Sequence, residues 1–293
     1  MLDYPLPGDL VAQAPAQRRR DSRLMAVDRQ TGKIAHMTFP ALAGLLREGD
    51  LLVLNDTKVI RGRLRARKAT GAAVEIFLLS PLGDRSAGGE TWEALARPSK
   101  RLREGMVFRV GEELEVTLLD RLGEGRWSVR LTAGGSVAEA VDSAGEIPLP
   151  PYIRRRAGDP RLAVDADRYQ TVYAKNRGSV AAPTAGLHFD RGMIAQIRRA
   201  GVSTAKVTLS IGYGTFRTIR TEEVEEHEIH AEAYRLGEET AAAVAKAKER
   251  GGRIVAVGTT SVRTLETCAG RDGKVVASEG TTGLFITPGH RFR

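Results

Sequence analysis

The chain predicts an α/β fold with a small all-β unit, a barrel or a sandwich, inserted into it. Three observations predict it. Strand and helix patterns alternate through the last third, as in "RIVAVGTTSVRTLE" over 253–266. Residues from about 63 to 145 read instead as short strand-like runs separated by Gly-rich turns. A buried strand, "DLLVLNDTKVI" at 50–60, stands before that stretch and ends in polar residues. The expected division is 1–62 plus 146–293 for the main domain and 63–145 for the insert.

From the N-terminus, "RLMAVDRQTGKIAHMTF" alternates apolar and polar residues about "DRQTGK", which reads as a turn between two strands, and a short helix follows near "ALAGLLREG". The strand at 50–60 ends on Asp56, Thr57 and Lys58. Polar residues at the carboxyl end of a buried strand are where α/β folds place their chemistry, although any one such site also reads as an ordinary polar turn. Within the insert, "AAVEIFLLSP", "TWEALARP", "GMVFRVG", "LEVTLLD" and "RWSVRLTAGG" are the strands, "DRLGEGRW" is a hairpin connection, and both tryptophans, Trp92 and Trp127, lie inside it. The prolines of "EIPLPPYIRRR" favour extended backbone and suit a domain crossing. Behind them Arg154 to Arg156 and Arg161 are either a solvated face or a phosphate-contacting rim.

In the last third, "DRGMIAQIRRAG" offers Asp190 as N-cap, Met193, Ile194 and Ile197 on one face and Gly201 as terminator. "STAKVTLSIG" is a strand leading into "GYGTF". "EETAAAVAKAKERGG" opens with acids and closes with bases, matching the helix dipole. Such strand and helix units predict parallel strands.

Composition narrows the function. With 42% hydrophobic and 28% charged residues the chain is an ordinary globular protein. Lys and Arg number 45 against 36 Asp and Glu, a net charge of +9 that attracts polyanions, nucleic acid first, or that serves solubility alone. The single Cys268 excludes an intrachain disulfide and a CxxC zinc site. No signal peptide or membrane span is read, so a cytoplasmic protein is expected. Gly212 and Gly214 are a fragment of a dinucleotide fingerprint without its third glycine, and no P-loop motif occurs.

Three turns look alike: "SVAAPTAGLH" (179–188), "IGYGTF" (211–216) and "VGTTSVR" (257–263), each rich in Gly, Ala, Ser and Thr. Small residues let a ligand approach the main chain, and the helix start after Thr259, Thr260 and Ser261 offers amides and hydroxyls to a polar group. His188 precedes the N-cap Asp190, and a helix N-terminus favours the neutral imidazole that a general base requires. "HEIHAE" places His227, His230 and Glu232 together. It reads as acid/base chemistry, as surface histidines or as part of a metal cluster, and the lack of further ligands at spacing weighs against the metal.

Taken in order, the motifs "RDSRLMAVDR", "GDLLVLNDTKVI", "RPSKRL", "PLPPYI", "RYQTVYA", "GSVAAPTAGLHF", "VTLSIGYGTFR", "HEIHAEAY" and "VGTTSVRTLE" span nearly the whole chain. Together they closely resemble the S-adenosylmethionine:tRNA ribosyltransferase-isomerase family of queuosine biosynthesis. The resemblance implies a barrel-like α/β main domain built from N-terminal and C-terminal parts with an inserted small all-β barrel domain, and S-adenosylmethionine as ribosyl donor, with no further cofactor and no metal. It implies an acceptor base, aminomethyl-7-deazaguanine, in a tRNA with a GUN-type anticodon, and a monomeric enzyme that releases adenine and methionine. The implied catalytic residues are His188 near the transferred ribose, and His227 and His230 with Glu232 near the leaving base or the acceptor. The turns would hold the substrate through Ser179, Pro183, Thr184, Gly186, Thr208, Gly212, Gly214, Thr215, Phe216, Thr259, Thr260 and Ser261. Asp56, Arg263 and Glu266 would anchor the methionine part. Lys58, Arg97, Lys100 and Arg101 would face tRNA phosphate, with Arg154 to Arg156 a weaker addition. Tyr152, Tyr169, Tyr173 and Phe216 would stack on an extruded base, beside Gln170. The rival readings are a noncatalytic RNA-binding protein and a hydrolase with a metal on His227 and His230.

The chain departs from the family pattern in four places. Ser210 stands where the family has histidine and cannot serve as the same acid or base. Thr218 replaces a usual proline and His290 a usual tyrosine. The sequence ends at "TPGHRFR", where the family continues through an NFHLPxST-type motif. A chain lacking that segment is expected to expose apolar surface beside the site.

Overall fold

The computed structural model describes residues 4–68, 71–86, 89–156, 158–216 and 229–293. Near its start Asp28 Oδ1 accepts the main-chain N–H groups of Gln30 and Thr31, and this turn doubles the chain back on itself. Strands β1 (Arg23–Val27) and β2 (Ile34–Thr38) pair antiparallel on either side, as the alternation predicts. Helix α1 (Leu42–Leu45) follows. Strand β3 (Leu51–Asn55) is buried at all positions, and β4 (Thr57–Val59) leaves it at Asp56.

Strands β5 (Arg63–Arg67), β6 (Ala73–Ser86), β7 (Gly89–Arg97), β8 (Val107–Val110), β9 (Leu114–Gly123) and β10 (Arg126–Ala133) close into an antiparallel barrel in the order β10-β7-β6-β5-β8-β9. Positive φ at Gly123, Glu124 and Gly125 makes the tight β9–β10 connection, where glycine costs least. Inward residues at alternate positions, among them Leu64, Ile76, Phe108, Val116, Leu118, Trp127 and Val129, fill the barrel. Full burial stabilises by about 2 kcal/mol for each such leucine. The sequence pattern predicts strands alone for the insert, but it ends in helix α2 (Val137–Ala144), started by Ser136, whose hydroxyl accepts the Glu139 N–H. Ala140 and Val141 of that helix join the barrel core.

After the proline segment come α3 (Leu162–Arg168), β11 (Asn176–Ser179), α4 (Arg191–Arg199), β12 (Ser203–Leu209), β13 (Glu232–Leu236), α5 (Glu238–Glu249), β14 (Ile254–Val257), α6 (Thr259–Cys268) and β15 (Ser278–Thr282). The expected Asp190 cap is present: its Oδ1 accepts the Met193 N–H at 2.7 Å. Among the described residues the strands outside the barrel form a five-stranded sheet, β14-β3-β12-β13-β15, and two two-stranded pieces, β1-β2 and β11-β4. Strands β14, β3 and β12 are parallel, whereas β13 runs antiparallel to both of its neighbours, β12 and β15, so the parallel pairing expected holds for the first three strands only. Strand β13 alternates buried ends with exposed Ala233 and Arg235, whereas the edge strand β15 is exposed at every position but Thr282. Alternate side chains of β3 enter two cores. Leu52 and Leu54 pack with Met193, Ile194 and Ile197 of α4, while Leu51 and Val53 pack with Val207, Val244 and Leu265. Covered on both faces, β3 is fixed in place, and its carboxyl end becomes a rigid floor. At the other end Asp50, buried, is clamped by Arg253 at 2.6 Å, and that guanidinium holds its carboxyl down to about 2. Among the described residues no helix is long and apolar enough to cross a membrane.

Candidate active site

The carboxyl ends of the three parallel strands meet at one buried side chain. The Asn55 Nδ2 donates to Leu209 O at 3.1 Å and to Thr260 Oγ1 at 3.0 Å, and its Oδ1 accepts the Leu209 N–H at 3.1 Å. Asn55 therefore ties the end of β3 to the turns after β12 and β14. Beside this knot opens a cavity of about 530 Å³, within the range of small-molecule sites. Ala181, Ala182, Pro183, Thr184 and Ala185 form one wall, and Ile211, Thr215, Gly258, Thr259 and Thr260 form another. Pro150, Pro151, Tyr152 and Tyr169 complete it, so all three small-residue turns converge there, as does the proline segment. None of these lining residues carries a charged side chain. Burial pushes the Tyr169 phenol up to about 12, against a hydrogen bond from the Ala182 main chain that lowers it, so it is a neutral phenol at physiological pH. Tyr152 is 56% exposed at the rim.

Several other sequence-predicted residues are engaged within the protein. Ser179, fully buried, donates to Ala181 O at 2.8 Å and accepts the Ile211 N–H at 2.9 Å, fastening two of the turns to each other. Ser261 donates to Val257 O and is also fully buried. Gly186 is small for an internal reason, because a methyl group there would collide with the Tyr173 hydroxyl. That hydroxyl is buried, while Tyr173 as a whole is half-buried. Gln170 spends its amide on Val59, accepting its N–H at 3.1 Å and donating to its carbonyl at 2.7 Å, and so does not reach outward. Glu266 accepts from His290 Nε2 at 3.0 Å. Arg155 forms a buried bidentate pair with Asp165 at 2.7 and 3.0 Å, which takes it out of any RNA-facing rim.

Asp56 and Thr208 face a different space. Asp56 Oδ1 accepts from Thr208 Oγ1 at 2.7 Å and from Asn176 Nδ2 at 2.9 Å. Both residues line a groove of about 810 Å³ with Lys175, Lys206, Glu238 and Glu239. Glu232 accepts the Gly212 N–H at 2.8 Å and pairs with Arg263 at 2.6 Å. Burial raises its carboxyl and lowers the Arg263 guanidinium, each partly offset by the other's charge. Gly214 lies against His230, whose ring a side chain at that position would strike.

His188 does not line the cavity. Its Nδ1 lies 2.9 Å from Ser22 Oγ and its ring 5.3 Å from that of Phe39, and burial lowers its pKa, favouring the neutral imidazole. His227 and Thr218 lie outside the described residues, and Phe216 closes the turn Tyr213–Phe216. Arg97, Lys100 and Arg101 are exposed on the barrel domain, and Lys58 is half-buried on β4. Sequence reasoning passed over Asn55, because one amide beside the conspicuous Asp56, Thr57 and Lys58 carries no pattern of its own. Its only signal was a polar residue closing an otherwise apolar strand.

A nucleoside-sized cavity where the carboxyl ends of parallel strands meet is the build of an enzyme that takes a small-molecule substrate. The family described as queuosine biosynthesis protein matches residues 1–293, and the chain belongs to it. It is 44% identical over 290 residues to the S-adenosylmethionine:tRNA ribosyltransferase-isomerase of Trichlorobacter lovleyi, a match over 99% of this chain and 82% of that relative. It is also similar, at 33% identity and a TM-score of 0.48, to the crystal structure of S-adenosylmethionine tRNA ribosyltransferase from Thermotoga maritima, covering 99% of this chain and 80% of that one.

Proposed function

We infer that this chain is an S-adenosylmethionine:tRNA ribosyltransferase-isomerase of queuosine biosynthesis. It transfers and isomerises the ribosyl part of S-adenosylmethionine onto the aminomethyl-7-deazaguanine of a GUN-type tRNA anticodon. The product is epoxyqueuosine, with adenine and methionine released, and the enzyme works in the cytoplasm as a monomer without a further cofactor. The observation that carries this reading is the convergence of three small-residue turns on one cavity with no charged side chain in its lining. A sulfonium nucleoside brings its own positive charge, so a neutral wall with phenol faces from Tyr152 and Tyr169 suits it. Small residues let adenine and ribose lie against the main chain.

The chemistry asks for proton transfers and for no covalent link to the protein. The sulfonium acidifies the adjacent C5′, which a base deprotonates; adenine leaves with a proton; the acceptor amine gives one up as it attacks. We assign the ribose-side base to His188, whose imidazole burial keeps neutral; it follows the lining Ala185 by three residues, so the assignment requires the bound ribose to extend beyond the cavity lining. Glu232 and His230, which both meet the Gly212–Gly214 turn, serve the leaving base and the amine together with His227. The carboxyl of Glu232 is raised by burial, which brings a carboxylic acid closer to a proton-donating range. Arg97, Lys100 and Arg101, with Lys58, take the tRNA backbone.

The test is chromatographic. Incubated with S-adenosylmethionine and tRNA bearing the aminomethyl base, the protein releases adenine and methionine in equal amounts, and tRNA lacking that base gives neither. Methylated tRNA with S-adenosylhomocysteine would refute the assignment.

A further inference from the structure

Asn55, at the end of β3, is 0% exposed, and all of its hydrogen-bonding groups are engaged. Its Oδ1 accepts two main-chain N–H groups, from Thr57 and from Leu209, each at 3.1 Å. Only an oxygen can meet two N–H donors, so the amide has one permitted orientation, and a flip would set N–H against N–H. Its Nδ2 must then be the donor to Leu209 O and to Thr260 Oγ1, the latter at 3.0 Å. Thr260 thus uses its hydroxyl oxygen as an acceptor towards Asn55, and its own hydrogen has to point elsewhere.

Among the described residues no acceptor takes that hydrogen. The neighbouring hydroxyls of α6 behave differently: Ser261 donates back to Val257 O at 2.9 Å, and Thr264 donates back to Thr260 O at 2.9 Å. Thr260 is turned by Asn55 instead, and it lines the cavity.

We propose that Asn55 is a positioning residue that fixes the Thr260 hydroxyl as a hydrogen-bond donor into the cavity, so that this subsite takes an acceptor atom of S-adenosylmethionine. Carboxylate oxygens, ribose oxygens and adenine ring nitrogens qualify. The ammonium group and the exocyclic amine, which only donate, are turned away, because a site built to donate leaves a second donor unpaired. Asn55 never touches the substrate; it acts through Thr260. The inference rests on the reading of this cavity as the S-adenosylmethionine site.

Calorimetric titration of S-adenosylmethionine into wild type, Thr260→Ser, Thr260→Val, Asn55→Asp and the double variant N55D/T260V tests it. Serine keeps the donor, so Thr260→Ser binds within about twofold of wild type, whereas Thr260→Val loses about tenfold. Asn55→Asp cannot donate to Thr260 and instead claims its hydrogen, so it also loses about tenfold. The double variant is no weaker than either single variant, because both changes remove the same hydrogen bond. A purely structural Asn55 would give losses that multiply to about a hundredfold, and that result overturns the proposal. Equal affinity of T260V and T260S overturns it too, and this comparison needs no change at Asn55. Wild-type protein that takes up no S-adenosylmethionine removes the reading of the cavity and the proposal together, whereas wild-type binding with T260V unaffected removes the proposal alone.

Discussion

Gly186→Ala is expected to destabilise the protein through a clash that a second substitution relieves. A methyl group on Gly186 falls inside contact distance of the Tyr173 hydroxyl, 2.8 Å from Thr171 Cγ2 and 3.2 Å from Tyr173 Cζ. Gly186 is buried, and Tyr173 packs with the α4 core, so neither can step aside cheaply. Overpacking of this kind costs about 1–3 kcal/mol, and three contacts at once place it near the upper end. The Tyr173 hydroxyl is itself buried without a partner, and burial pushes the phenol up. Tyr173→Phe therefore removes an unsatisfied group and is neutral or stabilising by up to about 1 kcal/mol. It also deletes the atom nearest the new methyl, so the double variant recovers about 1–2 kcal/mol relative to the sum of the singles. Urea denaturation followed by circular dichroism measures all three. A Gly186→Ala variant within about 0.5 kcal/mol of wild type, or strictly additive effects, would refute an internal cause for this glycine.

Three further outcomes follow from other parts of the molecule. The Asp50 carboxyl titrates from 3.8 when unfolded to about 2 when folded beside Arg253. Its contribution, about 2 kcal/mol, is thus complete above pH 4 and is lost as pH falls towards 2. Arg253→Met should flatten that acid slope in urea midpoints measured against pH, and an unchanged slope counts against the clamp. Thr184→Trp fills the cavity from an exposed position, so affinity for S-adenosylmethionine falls at least about tenfold with the melting temperature unchanged; retained affinity places the nucleoside elsewhere. Lys100→Ala and Arg101→Ala should each reduce the slope of log affinity for tRNA against log salt by about one, and unchanged slopes remove the barrel domain from the RNA path.

Much of the architecture was legible because it is written in periodicity. The alternation around "DRQTGK" became β1 and β2, the apolar run at 51–55 became a strand buried on both faces, and Asp190 caps α4. The inserted strands closed into a barrel, since short alternating runs separated by glycine turns have few other ways to bury one face. The direction of β13 was not legible, because periodicity describes faces and not partners. Helix α2 was missed inside a β-rich stretch, although Ser136 and Glu139 spelled its cap. At the site, the small-residue turns could be seen to need close approach, but not by what. For Ala181 to Ala185 and Gly258 the answer is the open cavity, and for Gly186 it is Tyr173. Composition cannot separate those two causes. Nor could it show that Asp56 and Thr208 bond to each other on the wall of a separate groove.

The most direct test of the account is a crystal structure of the protein soaked with S-adenosylmethionine. The account predicts the nucleoside in the cavity of about 530 Å³, against Ala181 to Ala185 and Gly258, with an acceptor atom of the ligand within hydrogen-bonding distance of Thr260 Oγ1. Density for the nucleoside in the groove beside Asp56 and Lys175 would contradict it.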